Sequence, residues 1–128
     1  MIKVACAIIF YKGKILSTQR GPQMKHPLKW EFPGGKVEPG ETPEHCIERE
    51  IFEELNIVIS PVRQLPTVFH DYATSKISLI PILADYKSGT IQLKEHLHYL
   101  WVSVSELHQP DWIEADLKVV DEVMRSLN

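Results

Sequence analysis

The chain has 128 residues, 44% hydrophobic and 24% charged, which predicts one ordinary globular domain over residues 1–128. Its formal charge is −3 and its 14 Lys and Arg residues are scattered, which excludes the basic surface that binds a nucleic-acid polymer or an anionic membrane. The apolar residues 4–10 are followed directly by a turn, and no apolar stretch approaches the roughly 18 residues of a membrane span, so we expect a cytoplasmic protein.

The first part of the chain predicts a hairpin followed by a long loop. Residues 2–10 and 14–20 are rich in β-branched residues around a Gly-containing turn, which favours a β-hairpin. Residues 21–42 contain repeated Pro and Gly and predict an irregular segment with a short extended piece at 30–32. Because long ordered loops in compact domains tend to be functional, we expect this segment to belong to a site.

A helix is predicted over residues 43 to about 55. Thr42 is a favoured N-cap residue, and proline is favoured at the first helical position that follows it. Asn56 is expected to close the helix in the left-handed conformation. The apolar stripe of this helix consists of Ile47, Ile51 and Leu55.

The rest of the chain predicts more strands and a final helix. Strand-like residues recur at 57–59, 63–72, 76–86 and 98–102. The final helix begins at about Glu114, and its apolar positions are Leu117, Val120, Met124 and Leu127. Pro81 cannot donate to a strand ladder, so we expect a bulge or a sheet edge there. The predicted fold class is α/β (α+β), a mixed β-sheet with helices packed on it.

The two cysteines form no C-x-x-C pair. Cys6 lies in a strand-like stretch and Cys46 in the helical pattern. Both are expected to be small core residues of a protein in a reducing compartment.

Three carboxylates share one face at the end of the first predicted helix. Glu50, Glu53 and Glu54 are related by i+3 and i+4 steps, which places them within roughly 100° of the helix. Their repulsion and the opposed helix dipole cost on the order of 1–2 kcal/mol. One interpretation is a solvated acidic face that Arg49 partly neutralises. The other is a divalent-cation site that handles phosphates, because these carboxylates lie beside the apolar stripe and follow a Gly-rich loop.

The types of residue at this face indicate which metal a cation site there would bind. Carboxylate oxygens without a His or Cys ligand suit Mg²⁺ or Mn²⁺, and Mg²⁺ is usually held by a few carboxylates together with substrate phosphates. His96 and His98 have an H-x-H spacing, but no third and fourth ligand stands near them in the sequence, which disfavours zinc.

The Gly-rich loop before the helix is not a P-loop. Residues 35–42 nearly match G-x-x-x-x-G-K-[ST], but Glu41 stands where the phosphate-binding lysine must be. The spacing instead resembles the Nudix box, G-x5-E-x7-R-E-U-x-E-E-x-G-U, where U is a bulky aliphatic residue. The matching positions are Gly35, Glu41, Arg49, Glu50, Ile51, Glu53, Glu54 and Ile57, with Asn56 in place of the last glycine.

The resemblance extends upstream of the box. Residues 30–36, WEFPGGK, are similar to the EFPGGK segment of MutT-type nucleoside triphosphate pyrophosphohydrolases. The resemblance implies the Nudix fold, a mixed β-sheet sandwiched between helices. It also implies Mg²⁺-dependent hydrolysis of nucleoside triphosphates to a nucleoside monophosphate and pyrophosphate, with Mn²⁺ as a possible substitute. Nucleotide-pool sanitation follows, with oxidised guanine or cytosine nucleotides as candidate substrates.

The same resemblance assigns roles to single residues. The implied metal ligands are Glu50, Glu53, Glu54, the carbonyl of Gly34 and, from a later loop, Glu95. Glu50 is the expected general base, while Glu41 and Arg49 orient the loop and the helix carboxylates. The candidate substrate-binding residues are Arg20 and Lys36 for phosphates, Gly34 and Gly35 in the loop, and Trp30, Phe32 and Asp116 for the base. Glu95 reads equally well as a surface glutamate, and Asp116 equally well as a first-turn helix residue.

Two alternatives remain open at this point. The same chemistry serves another nucleoside diphosphate-linked substrate, such as ADP-ribose, a nucleotide sugar or a dinucleoside polyphosphate. A non-catalytic nucleotide-binding module is disfavoured, because all three box carboxylates are present. In each case the expected partner is a small nucleotide, bound by a monomer or a homodimer.

Overall fold

The computed structural model describes residues 1–127, in which one mixed sheet lies between two helices. The strands are β1 (Ile2–Tyr11), β2 (Lys14–Gln19), β3 (Trp30–Glu31), β4 (Gly34–Lys36), β5 (Ile57–Gln64), β6 (Val68–Tyr72), β7 (Ser75–Gly89) and β8 (His98–Ser103), and the helices are α1 (Pro43–Leu55) and α2 (Glu114–Leu127). The main strand order is β3-β2-β1-β7-β5, while β4 pairs with β1, β6 with β7 and β8 with β2. The predicted architecture is confirmed.

The central strand β1 is buried on both faces. Ala5, Ala7 and Ile9 point to the core under α1, whereas Cys6 and Ile8 point to the core under α2. Both faces of β1 therefore need apolar side chains, which explains why its sequence is a continuous apolar stretch rather than an alternating one. β1 also pairs in parallel with β7 along nearly its whole length.

The two cysteines are buried and have free thiols, as predicted. Within residues 1–127, no helix is long and apolar enough to cross a membrane.

Helix α1 begins and ends as its sequence predicts. The side chain of Thr42 accepts a hydrogen bond from the backbone N–H of His45 at 3.1 Å, and proline follows at the first turn. Asn56 adopts φ 60° and ψ 30°, and its N–H donates to the carbonyl of Phe52. The predicted stripe of Ile47, Ile51 and Leu55 is fully buried.

The predicted apolar face of α2 is right at two positions and wrong at two. Val120 is buried and Met124 packs against the core, but Leu117 is 45% exposed and Leu127 is 37% exposed. The helix buries Ala115, Asp116, Val119, Val120 and Val123. The sequence pattern failed because Asp116, a polar residue, lies in the middle of the buried face. Its carboxylate accepts a hydrogen bond from the backbone N–H of Phe32, which makes its burial possible.

The predicted strand over 63–72 is divided into the end of β5 and β6, and both pieces pair with β7. Residues 34–36, predicted to be irregular, form β4 on the edge of β1. Pro81 makes neither a bulge in β7 nor a sheet edge, because it pairs in register with Cys6. Its carbonyl accepts from Leu65 at the gap between β5 and β6, so its missing N–H faces a place where the ladder is already interrupted.

The conformation of Asn56 gives a direct test of the helix end. Asn56→Gly should leave the free energy of unfolding within about 0.5 kcal/mol of the wild type, because glycine adopts a positive φ without strain. Asn56→Val should lower it by about 1–2 kcal/mol, because its β-branched side chain is crowded in this conformation. Urea unfolding measures both values, and equal stability of the two variants would contradict the assigned helix cap.

Candidate active site

A cavity of about 250 Å³ lies beside the amino-terminal half of β1. Its charged lining comes from every layer of the fold and consists of Arg20, Glu31, Lys36, Glu54, Glu95 and Asp116. Among the described residues, four carboxyl groups therefore face one small space with the cations of Arg20 and Lys36 and the imidazole of His96. Such a space favours protons or metal cations, because unpaired carboxylates close together are costly.

The environment of Glu54 strongly disfavours the ionised form of its carboxyl group. Burial, and then the nearby carboxylates of Glu50, Glu31 and Glu95, together raise its pKa from 4.5 to about 9. Its Oε2 atom is buried and has no hydrogen-bond partner among residues 1–127. In the metal-free protein this group therefore holds a proton at neutral pH, and a bound cation would take the place of that proton.

Arg49 connects the loop before α1 to the carboxylates on α1. Its Nε and Nη2 donate to the two carboxylate oxygens of Glu41 at 2.8 and 3.0 Å. Its Nη1 donates to Glu50 Oε1 at 2.9 Å and lies 3.5 Å from Glu53 Oε2. The bonds from Arg49 lower the pKa of Glu41 to about 2. These contacts join the loop to the helix, and the orienting role of Glu41 and Arg49 stays a prediction.

The Gly-Gly pair of β4 permits two close approaches. A Cβ atom on Gly34 would overlap the carbonyl oxygen of Ala5 in β1. A Cβ atom on Gly35 would lie 2.6 Å from Oε1 of Glu50. Glycine at 34 therefore lets β4 pair with β1, and glycine at 35 leaves room for the Glu50 carboxylate.

Glu95 reaches the cavity because its loop is bound to the end of α1. The backbone N–H groups of Gln92 and Lys94 donate to the carbonyls of Leu55 and Glu54 at 3.0 and 3.3 Å. These bonds satisfy two of the last carbonyls of a helix that has no basic residue in its last turn. The loop thus brings a further carboxylate to the negative end of the same helix.

Asp116 and Phe32 line the opposite part of the cavity. Asp116 is 6% exposed, and its Oδ2 accepts from the N–H of Phe32 at 2.8 Å. Burial, and then the charge of Glu31, raise the pKa of Asp116. Phe32 is 3% exposed and stacks on Trp112 with ring centroids 4.4 Å apart. Asp116 is thus both a first-turn residue of α2 and a buried group of the cavity, and its contact with the base stays a prediction.

The structure does not bring every predicted residue to the cavity. Trp30 lies in a separate depression together with Trp101 and Leu100. Glu50 and Glu53 flank the cavity from α1, and the Glu53 side chain is 58% exposed. Within residues 1–127, no three His, Cys, Asp or Glu side chains converge as a ready cation cage. Arg49 contacts one carboxylate oxygen of Glu50 and one of Glu53 and leaves the other oxygen of each free of this contact.

Sequence reasoning missed Glu31 and His96 as parts of this site. Glu31 accepts from Arg20 Nη1 through Oε1 and pairs with His96 Nε2 through Oε2, both at 2.8 Å. The one available signal was that Glu31 belongs to the WEFPGGK segment. His96 was considered only with His98, which the structure leaves exposed at the start of β8 while His96 is buried.

Comparisons with known proteins agree with this geometry. The sequence model of the NUDIX domain matches residues 1–123. The CTP pyrophosphohydrolase of Escherichia coli is 35% identical over 124 residues, which cover 97% of this chain and 92% of that protein. The 8-oxo-dGTP diphosphatase of Haemophilus influenzae is 32% identical over 125 residues, with 97% and 92% coverage.

A solved structure shows the same fold. The crystal structure of the MutT protein from Methanosarcina mazei superposes with a TM-score of 0.88 at 26% identity and covers 99% of this chain and 95% of that chain. The sheet, the two helices and the loop before α1 are therefore those of a known structural family.

The raised pKa of Glu54 predicts how stability depends on pH. Between pH 4.5 and about 9 the unfolded chain loses a proton that the folded, metal-free protein keeps. The free energy of unfolding should therefore fall as pH rises through this range, by at most about 1.4 kcal/mol per pH unit from this group. Glu54→Gln should remove this part of the slope, whereas Glu53→Gln, at an exposed position, should keep it.

Urea unfolding in EDTA at several values between pH 5 and 9 measures these slopes. Parallel slopes for the wild type and Glu54→Gln would show that Glu54 is not held protonated.

The two glycines should respond differently to alanine. Gly34→Ala should lower the free energy of unfolding by roughly 1–3 kcal/mol, because the added methyl group overlaps the β1 backbone. Gly35→Ala should change stability less, because the Glu50 side chain can move, but should weaken stabilisation by Mg²⁺. Thermal unfolding with EDTA and with Mg²⁺ separates the effects, and an unchanged Mg²⁺ response in Gly35→Ala would contradict this role.

Proposed function

Because this chain belongs to the NUDIX domain family, we propose that it is a nucleoside triphosphate pyrophosphohydrolase. Its proposed substrates are oxidised or otherwise modified nucleoside triphosphates, which it converts to the nucleoside monophosphate and pyrophosphate. The names of two relatives, CTP pyrophosphohydrolase and 8-oxo-dGTP diphosphatase, support this choice. Removal of such nucleotides keeps the nucleotide pool clean. The observation that carries the proposal is the buried, unpartnered Oε2 atom of Glu54, in a cavity that also contains the side chains of Arg20 and Lys36.

Hydrolases of this family generally need a divalent metal, and we propose Mg²⁺, with Mn²⁺ as a substitute. The donors fit a hard cation, because Glu54 has an unpartnered buried oxygen and three more carboxylates act on it. The proposed ligands are Glu50, Glu53, Glu54, Glu95 and the Gly34 carbonyl. When bound, the cation offsets charge on the phosphate oxygens and lowers the pKa of nearby water.

The residues of this chain have separate proposed roles in the reaction. Water adds to a phosphorus atom of the anhydride between the α- and β-phosphates, that anhydride bond breaks, and the two fragments leave as monophosphate and pyrophosphate. Glu50 accepts the proton of the water. Arg49 donates a hydrogen bond to Oε1 of Glu50, which leaves Oε2 of Glu50 to take this proton. Arg49 and Glu41 keep Glu50 in place.

The remaining cavity residues bind the nucleotide. Arg20 and Lys36 meet its phosphates, because they are the Lys and Arg side chains that line the cavity among the described residues. Asp116 and Phe32, at the other part of the cavity, meet the base. We place this enzyme, whose proposed substrate is a small nucleotide, in the cytoplasm, because a reducing environment suits its two buried thiols.

The proposed function is tested by pyrophosphate release. The wild type, with Mg²⁺, should release pyrophosphate from at least one of the normal, 8-oxo-guanine or modified cytosine nucleoside triphosphates. It should hydrolyse ADP-ribose more slowly than that triphosphate. The double variant Glu53→Gln, Glu54→Gln should lose about 100-fold or more of this activity. Glu48→Gln, at an exposed position of the same helix, is the matched control.

Two results would contradict the proposal. One is no pyrophosphate release from any triphosphate by the wild type. The other is full activity of the double variant.

A further inference from the structure

A chain of three charged or polar side chains crosses the wall of the cavity. His96 Nε2 lies 2.8 Å from Glu31 Oε2, and Glu31 Oε1 accepts from Arg20 Nη1 at 2.8 Å. Because a carboxylate only accepts hydrogen bonds, the shared proton lies on Nε2 of His96. Both oxygens of Glu31 are therefore engaged, one by each neighbour.

These side chains are shielded from solvent. The side chains of His96, Glu31 and Arg20 are 2%, 17% and 18% exposed. The Nδ1 atom of His96 is buried and has no partner within residues 1–127, so the bond to Glu31 is the polar contact made by this ring. A buried imidazole with one polar contact, directed at a carboxylate in the cavity wall, points to a role for that contact.

His96 is fixed from outside this chain of contacts. The backbone N–H of Lys94 donates to the backbone carbonyl of Glu54 at the end of α1. The backbone N–H of Leu97 donates to the backbone carbonyl of Gln19 at the end of β2. The loop around His96 is thus attached to two rigid elements. Glu31 belongs to the two-residue strand β3, which pairs with β2 and is bonded through Trp30 to the segment before α2. The imidazole and the carboxylate are therefore each carried by backbone that is bonded to other elements.

Arg20 depends on this arrangement for its direction. Its Nε donates to the carbonyl of Lys25 at 2.6 Å and its Nη1 to Glu31. These two contacts hold the plane of the guanidinium, and its remaining N–H groups are available to a ligand in the cavity. If Glu31 turned away, Arg20 would keep its charge but lose one of the two contacts that direct it.

We propose that His96 is a positioning residue that acts through Glu31 to direct the Arg20 guanidinium at the phosphates of the nucleotide. The proposal rests on the function proposed above and adds a residue that determines substrate affinity. His96 lines the cavity, but its Nε2 is engaged by Glu31 and its Nδ1 is shielded, so neither ring nitrogen is free to bind a phosphate. Its loss should therefore affect the binding of phosphates more than the chemical step.

Two substitutions separate this role from simple packing. His96→Gln places an amide N–H near the position of Nε2 and should keep the contact with Glu31. His96→Leu fills similar space without a donor. We expect His96→Leu to raise KM for the triphosphate roughly tenfold with kcat within about twofold, and His96→Gln to stay close to the wild type. Thermal unfolding verifies that both variants are folded.

A double-mutant cycle tests whether His96 acts through Arg20. Arg20→Ala alone should raise KM, and His96→Leu should add little to it in that background, because the guanidinium to be directed is gone. A tenfold effect of His96→Leu that persists in Arg20→Ala would overturn the proposal. Equal effects of His96→Gln and His96→Leu, or no change of KM in either, would overturn it as well.

Binding of inorganic tripolyphosphate with Mg²⁺, measured by calorimetry, separates this inference from the proposed activity. His96→Leu should weaken this binding roughly tenfold, and His96→Gln should not. If the wild type cleaves no triphosphate but shows this pattern, the proposed function fails and the role of His96 stands. If the wild type binds no tripolyphosphate, or His96→Leu binds it as tightly as the wild type, the role of His96 is refuted.

Discussion

The site depends on one electrostatic constraint: the carboxyl group of Glu54 is largely shielded from solvent, lies near other carboxylates and stands at the negative end of its own helix. Burial and the charges of Glu50, Glu31 and Glu95 all act against its ionisation. The group must therefore be accompanied by a positive charge, either a proton or a cation. Much of the surrounding structure holds Glu54 in this environment while limiting the loss of fold stability.

Two parts of the structure limit the cost of that arrangement. Arg49 neutralises the more exposed carboxylates of Glu41, Glu50 and Glu53, so the unbalanced charge is concentrated on the cavity side of α1. The loop after β7 donates backbone N–H groups to the last carbonyls of α1, which stabilises a helix end without a basic side chain. The same loop supplies Glu95 and His96, so one segment both completes the helix and furnishes the cavity.

How much the sequence could predict depended on whether the signal was local. Helix α1 was predictable because its cap, its proline, its stripe and its left-handed end residue all lie within fifteen residues of each other in a consistent pattern. The face of α2 was not, since the burial of Asp116 depends on the backbone of Phe32, 84 positions away. Glu31 and His96 are 65 positions apart, and neither has a sequence pattern that indicates their contact. Pro81 was misread for a similar reason, because the gap between β5 and β6 arises from tertiary pairing.

The most direct test of this account is the number of protons released when Mg²⁺ binds at pH 7.5. Calorimetric titrations in two buffers of different ionisation enthalpy give this number. If Glu54 holds a proton that the cation replaces, the wild type should release about one proton per bound ion and Glu54→Gln close to none. Binding of Mg²⁺ to the wild type without proton release would contradict the account.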